Sequence, residues 1–409
     1  MSSGRLGQAG PIRERVLARR GRPGFAERAA SRATGLPPAA LQSGGHEGPA
    51  ATALALGVPG AMPAGRGGRW GLVLGGGGVL GAAWLIGVLA ALERSRGIDA
   101  RDATLITGTS AGSVIGALLA AGVGVHDQRE REATGREHLG ATRIGSVGVG
   151  DEVVTGPWPP LPRMRPGSTA IIRNNRGALR QLPRTALLAG LAPAGRGSMA
   201  GVQRLIEAVV PAAEWAPHPG YRAVTLDYET GRRVVFGSPG APAAGLSRAV
   251  AASCAIPGWF EPVTIGGRRY VDGGAWSATN ADLMVDAGLD ELFIVAPMVS
   301  LRYDAPGDVR ARMERRIRVG ATRRCLAEAR LVQAAGTAVT VIGPGPRELE
   351  LMGYNLMAAS GRAEVMESGF QTALAALDEL SAIGGEVVHV DVGPDAADLA
   401  APAPPMDLR

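Results

Sequence analysis

Two stretches of the chain share one hydrophobic pattern. Trp70 to Leu74 is a short apolar run; four glycines follow, Gly75 to Gly78, then a mostly apolar segment that ends near "RSRG". Residues 103–122, "ATLITGTSAGSVIGALLAAG", repeat the pattern: an apolar run, a tight Gly/Ser turn and an apolar segment of helical length. A short apolar run bounded by turn residues reads as a buried strand, and a longer one as a buried helix. Two strand–turn–helix units in succession predict a mainly parallel sheet with helices on its faces. The expected fold class is therefore α/β.

The remaining elements follow the same logic. "YRAVTLDYETGRRVVFGS" (221–238) reads as two strands joined at a Thr-Gly turn, and "EPVTIGGRRYVDGG" (261–274) as a hairpin whose second strand ends on Asp272. "LSRAVAASCAIP" (246–257) is helical until Pro257 stops it. "ELFIVAPM" (291–298) and "AVTVIG" (338–343) are buried strands. Helices are expected over 306–335 and about 356–382, with a closing strand at 386–392, "EVVHVDV". Residues 123–200 are less regular and read either as a cap over a site or as a poorly packed insertion. Residues 1–67, rich in Arg, Gly, Pro and Ala, have no sustained period and are expected to be a disordered extension. Order should begin near Arg69, giving a domain over 68–393 with its core motifs in 70–285. Residues 394–409 form a flexible tail.

Composition changes this picture little. Hydrophobic residues make up 46% of the 409, enough for a large core. All 43 basic residues are arginine, and the net charge is +6. Arginine concentrates in the first 70 residues and in 301–330, where an anionic surface could bind. With so much Ala and Gly, the arginines also fit a coding bias spread over solvated surface, and no nucleic-acid partner is expected. Cys254 and Cys325 have neither zinc spacing nor a disulfide framework, which fits a reducing, cytoplasmic compartment. No signal peptide is expected at the N-terminus. The nearest thing to a membrane span, 70–92, is broken by its glycines.

Candidate chemistry begins at Gly108-Thr109-Ser110-Ala111-Gly112, the one Gly-x-Ser-x-Gly in the chain. It lies between a strand and a helix, where a nucleophile elbow has to sit. Small residues two positions either side of the serine let so tight a turn close. Ser110 would then stand at a helix N-terminus, whose dipole favours developing negative charge. The same residues also suit a plain N-cap serine.

A serine hydroxyl needs a base. Of His46, His126, His138, His218 and His389, only His389 has the chain order of an α/β-hydrolase triad, and it falls mid-strand. Asp272, in Val271-Asp272-Gly273-Gly274, is the only Asp followed by Gly. Gly273 and Gly274 allow a sharp turn at the base. Burial in an apolar cleft would raise its basicity, so a Ser–Asp dyad is feasible without histidine. Gly76, Gly78 and Gly81 formally satisfy the G-x-G-x-x-G of a dinucleotide site. They equally suit an oxyanion hole built from amides at a helix start.

In combination these motifs resemble the patatin-like phospholipases: Gly-Gly-Gly-x-x-Gly at 76–81, Gly-Thr-Ser-Ala-Gly at 108–112 and Asp-Gly-Gly at 272–274, in that order. "AASCAIPGWFEPV" (251–263), "ADLMVDAGLDELFIV" (281–295) and "LMGYNLM" (351–357) look alike too. The resemblance covers roughly 68–380. It implies a three-layer α/β/α sandwich and a lipid acyl hydrolase needing no cofactor and no metal. Ser110 would be the nucleophile, Asp272 the base, and Gly76, Gly77 and Gly78 the oxyanion loop, with the amides of Gly77 and Gly78 as donors and Gly76 shaping it. A lipid or other acyl-ester substrate and peripheral contact with the inner membrane face follow; the oligomeric state stays open. Two positions depart from the family pattern. Leu80 stands where an Arg or Lys is usual, and Asn280-Ala281-Asp282 where Asn-x-Pro is. The alternatives are a non-catalytic protein of the same fold and a dinucleotide-binding oxidoreductase.

Overall fold

A computed structural model describes residues 52–56, 68–134, 162–176, 182–301 and 306–382. The first strand, β1 (Ala53–Leu56), is followed by β2 (Trp70–Leu74), α1 (Gly78–Arg96), β3 (Leu105–Thr109), α2 (Ala111–Ala120) and α3 (Val125–Thr134). Next come β4 (Arg163–Pro166), α4 (Ala170–Asn174), α5 (Arg184–Leu191), β5 (Pro193–Ala194) and α6 (Ala200–Glu207). The middle of the chain holds β6 (Tyr221–Asp227), β7 (Arg233–Phe236), α7 (Leu246–Cys254), β8 (Val263–Ile265) and β9 (Arg268–Asp272). It closes with β10 (Glu291–Val295), α8 (Val309–Ala334), β11 (Ala338–Ile342), α9 (Pro346–Met352) and α10 (Arg362–Ala382).

The main sheet runs β1-β11-β10-β2-β3-β6-β9-β8, with β7 on the other side of β6. The five strands from β11 to β6 are mutually parallel. Side chains alternate across the pleat. Leu72, Leu74, Ile106, Phe293 and Val295 face one core with α1, α2, α7 and α10. Val73, Leu292, Ile294 and Val341 face a second core with Cys325, Leu326, Ala329 and Val332 of α8. Helices on both faces of a mainly parallel sheet, as the pattern predicts, make the three-layer α/β/α sandwich that the resemblance implies. Each leucine-sized side chain buried this way contributes about 1.5–3 kcal/mol. α1 is long and apolar enough to cross a bilayer, yet 72% of its apolar window is buried inside the fold. It is the central core helix.

One expectation needs correcting. Order does not begin at Arg69: Ala53–Leu56 pairs antiparallel with β11, from Ala53 opposite Ile342 to Leu56 opposite Val339. Four apolar residues in a Gly/Pro-rich stretch give no periodic signal, and their partner strand is far along the chain. The strand expected at 386–392, His389 within it, and the 394–409 tail lie outside the described residues. So do 1–51 and 57–67. Within 123–200, the described part of 162–194 packs Ile171 and Ala186 against Leu226, Tyr228 and Val271. Val271 and Asp272 are consecutive on β9, so this packing is on the face opposite the Asp272 side chain. Residues 135–161 and 177–181 lie outside the described residues.

Candidate active site

Strand register brings Ser110 and Asp272 together. β6 pairs along one edge with two strands placed end to end. β3 runs parallel to its first half, with Thr109 opposite Val224. β9 runs antiparallel to its second half, with Asp272 opposite Thr225. The carboxyl ends of β3 and β9 therefore point at each other and stop on consecutive rungs of β6. Ser110 follows Thr109 directly, so its hydroxyl and the Asp272 carboxylate share one small space. The hydroxyl lies near enough to the carboxylate to offset part of the cost of its burial.

Ser110 is held at φ 52°, ψ −123°, left-handed backbone that a residue with a Cβ rarely adopts. Such a conformation costs about 1–3 kcal/mol and persists only where its surroundings enforce it. Those surroundings explain the flanking glycines. A Cβ on Gly112 would lie 2.0 Å from the Leu74 carbonyl oxygen, and one on Gly108 would lie 2.5 Å from that of Gly112. The serine is thus presented at the N-terminus of α2, with its side chain off the strand, as a nucleophile elbow requires.

Both groups are nearly sealed from water: Ser110 is 8% and Asp272 5% exposed. Burial raises the Asp272 carboxyl from 3.8 to about 6, against the opposing pull of the Gly274 N–H and the Ser110 hydroxyl. Gly274 donates to Asp272 Oδ1 at 2.7 Å, which is the role the structure gives to the turn at 273–274. The Cys254 thiol beside the site is pushed up, chiefly by burial and further by the Asp272 charge, and so stays protonated.

The glycine loop lies against Ser110: a Cβ on Gly76 would come within 3.2 Å of the serine Cβ. The three glycines are not equivalent. Gly76 donates its N–H to the Ala278 carbonyl at 2.9 Å, which makes it a loop anchor and removes it as a free donor. Gly77 and Gly78 form the N-cap and first residue of α1, where backbone N–H groups have no intrahelical acceptor. Among the described residues neither has a protein acceptor. Gly78 has φ +65°, and a Cβ there would sit 2.7 Å from the Leu356 carbonyl. Leu80 points into the main core at 2% exposure, while its N–H bonds Leu356 O at 3.0 Å.

Several supporting residues had no role assigned from the sequence. Ser253, on α7, accepts the Ser110 backbone N–H at 3.0 Å and donates to Val224 O at 2.7 Å. Asn280 (φ 55°) donates to Thr109 Oγ1 at 3.1 Å. Asp282, where the family has proline, makes a bidentate pair with Arg233 at 2.6 and 2.5 Å. Buried Glu328 of α8 accepts from Thr279 Oγ1 at 2.7 Å and the Ala281 N–H at 2.9 Å. The loop that supplies Ala278 O to Gly76 is thus pinned from the opposite face of the sheet. Ser253 and Asn280 lay within or beside stretches that already carried the resemblance, and could have been found there.

The two described histidines do not compete. His126 is exposed, and His218 Nδ1 accepts the Gly220 N–H at 3.1 Å. Neither hydrogen-bonds Ser110 or Asp272. His46, His138 and His389 lie outside the described residues. Among the described residues no group of three His, Cys, Asp or Glu side chains could hold a metal ion. A cavity of about 500 Å³, lined by Arg165, Arg173, Tyr228, Phe260, Arg269 and Val271 among others, opens on the Val271 side of β9.

With this geometry in hand, comparison with known proteins is decisive on one point. The patatin-like phospholipase family profile matches residues 72–285, more than half the chain, from within β2 to just beyond Asp282. The chain belongs to the patatin-like phospholipase family. Its members are lipid acyl hydrolases, so the dinucleotide reading of Gly76, Gly78 and Gly81 is set aside. Among solved structures, the crystal structure of VipD from Legionella pneumophila is similar at 16% identity and a TM-score of 0.36, covering 83% of this chain and 72% of that one. No curated protein sequence matches.

Proposed function

We propose that this patatin-like protein cleaves acyl esters of lipids through an acyl-enzyme on Ser110, with Asp272 as the base. The observation that supports this best is the meeting of β3 and β9 on adjacent rungs of β6, which sets the hydroxyl against a buried carboxylate. A carboxyl near 6 is ionised at neutral pH and more basic than one in water. It takes the Ser110 proton as the oxygen attacks the ester carbonyl carbon. The oxyanion so formed rests on the N–H groups of Gly77 and Gly78, aided by the N-terminal dipoles of α1 and α2. Losing one such donor typically costs about 10²–10³ in rate. Collapse of the tetrahedral intermediate expels the alcohol, which takes the proton from Asp272. Water, deprotonated by the same carboxylate, then releases the acid and frees Ser110.

We propose further that the substrate is a lipid at a membrane and that the protein works in the cytoplasm, in peripheral contact with the inner membrane face. Labelling with a fluorescent fluorophosphonate, mapped by mass spectrometry, tests the chemistry. Wild type is expected to label on Ser110, Asp272→Asn far more slowly, and Ser110→Ala not at all. A folded wild type that stays unlabelled, or labels elsewhere, overturns the reading and moves a non-catalytic role to the front.

A further inference from the structure

β10 leaves the sheet at its carboxyl end and α8 carries the chain back to the parallel strand β11. The first turns of α8 therefore stand at the carboxyl edge of the sheet, the edge that holds Ser110 and the glycine loop. On its inner side this helix buries Glu314, Arg315, Arg318 and Thr322. Arg315 and Arg318 are both paired with Glu314, and Arg318 also donates to the carbonyl of Pro297, the residue that backs Gly77 and Gly81.

The outer side is different. Val309, Met313 and Ile317 follow at intervals of four, so they form one stripe, and they are 66%, 62% and 61% exposed. Arg310 borders the stripe on one side, Arg312 and Arg316 on the other; all three are exposed. No acid of α8 reaches this face, because Glu314 and Glu328 are buried, and Asp308 before it caps the Ala311 N–H. Tyr354, 55% exposed, extends the patch: Arg310 donates to its hydroxyl at 3.2 Å and lies over its ring. Two residues on, the Leu356 carbonyl packs on Gly78 and accepts the Leu80 N–H. The exposed stripe and the oxyanion loop are joined by one short turn.

We propose that this face of α8 docks the protein onto an anionic lipid bilayer. Val309, Met313, Ile317 and Tyr354 enter the boundary between head groups and acyl chains, while Arg310, Arg312 and Arg316 meet lipid phosphates. An apolar stripe flanked by arginines is the pattern of a helix lying in that interface. A second copy of this face would bring arginine against arginine, and a nucleic acid would leave the stripe uncovered. A bilayer satisfies both halves. The proposal rests on the acyl-hydrolase reading, since the docked face sits beside the lipid-cleaving edge.

Co-sedimentation with vesicles tests it, using phosphatidylcholine alone and phosphatidylcholine mixed with phosphatidylglycerol. Three proteins are compared: wild type, Met313→Ser/Ile317→Ser and Arg312→Ala/Arg316→Ala. Wild type should bind the mixed vesicles. The serine variant should bind them at least about ten-fold more weakly. The alanine variant should lose about ten-fold on mixed vesicles and little on phosphatidylcholine alone. Both should hydrolyse a monomeric, water-soluble ester like wild type, which shows that they are folded and separates docking from chemistry. Wild type that ignores mixed vesicles, or variants that bind as it does, would overturn the proposal. So would a wild-type dimer that the serine variant splits. Vesicle binding without hydrolysis of either the soluble ester or the vesicle phospholipid would uphold docking while sinking the Ser110–Asp272 reading.

Discussion

Replacing Asp272 by asparagine should make the protein more stable while destroying its activity, and the gain should depend on pH. The carboxyl ionises at 3.8 in the unfolded chain and near 6 in the fold, because burial disfavours its charge more than Gly274 and Ser110 favour it. A group whose folded value is raised stabilises the fold below its unfolded value, and that contribution disappears as pH rises through the folded one. Two units at about 1.4 kcal/mol each put the loss at roughly 3 kcal/mol once the pH is well above 6. Asparagine keeps the shape and an acceptor for the Gly274 N–H, and it carries no charge. Urea denaturation followed by tryptophan fluorescence should find Asp272→Asn about 2–3 kcal/mol more stable than wild type at pH 8. The difference should shrink toward zero as pH falls to 4. A variant no more stable at pH 8, or equally stabilised at both values, would refute the account of a charge held against burial.

Further outcomes follow from the same geometry. Ester turnover by wild type should rise with pH through about 6, as Asp272 ionises, and a profile flat between pH 5 and 8 would remove it as the base. Ser110→Gly should abolish labelling and turnover yet raise stability by about 1 kcal/mol, because glycine adopts φ 52° without strain; thermal unfolding beside Ser110→Ala measures this. Ser253→Ala leaves the buried Ser110 N–H without its acceptor, so stability should fall by about 1–3 kcal/mol. Its kcat should drop about ten-fold with KM unchanged, since the elbow loses its brace; an unaltered kcat would reduce Ser253 to packing. Glu328→Ala should cost about 3–5 kcal/mol by leaving Arg324, Thr279 and the Ala281 N–H without their carboxylate, with Glu328→Gln recovering part of it in urea titrations.

Local pattern carried much of the fold. The strand–glycine–helix units at 70–96 and 105–120 were legible because their signal, an apolar run broken by residues that must turn, spans fewer than thirty positions. The hairpins at 221–236 and 263–272 were legible for the same reason. Ser110 stood out because its turn is local. Asp272 stood out as the only Asp-Gly, but pairing the two required the family resemblance, since they lie far apart in the chain. β1 was not legible at all, for its partner among the described residues, β11, is far along the chain.

The sequence by itself therefore determined the elements, the elbow and the residue types that acyl transfer needs, because each depends on neighbours along the chain. Tertiary structure decided what the pieces do together. Register on β6 sets Ser110 against Asp272. Burial, a property of the packed whole, sets the carboxyl near 6. The Ala278 carbonyl takes the Gly76 amide, while the Gly77 and Gly78 amides have no acceptor among the described residues. On α8, the same arginine-rich run is divided into an inner set paired with acids and an outer set beside an exposed apolar stripe. No linear pattern distinguishes those two sets; only the sheet behind the helix does.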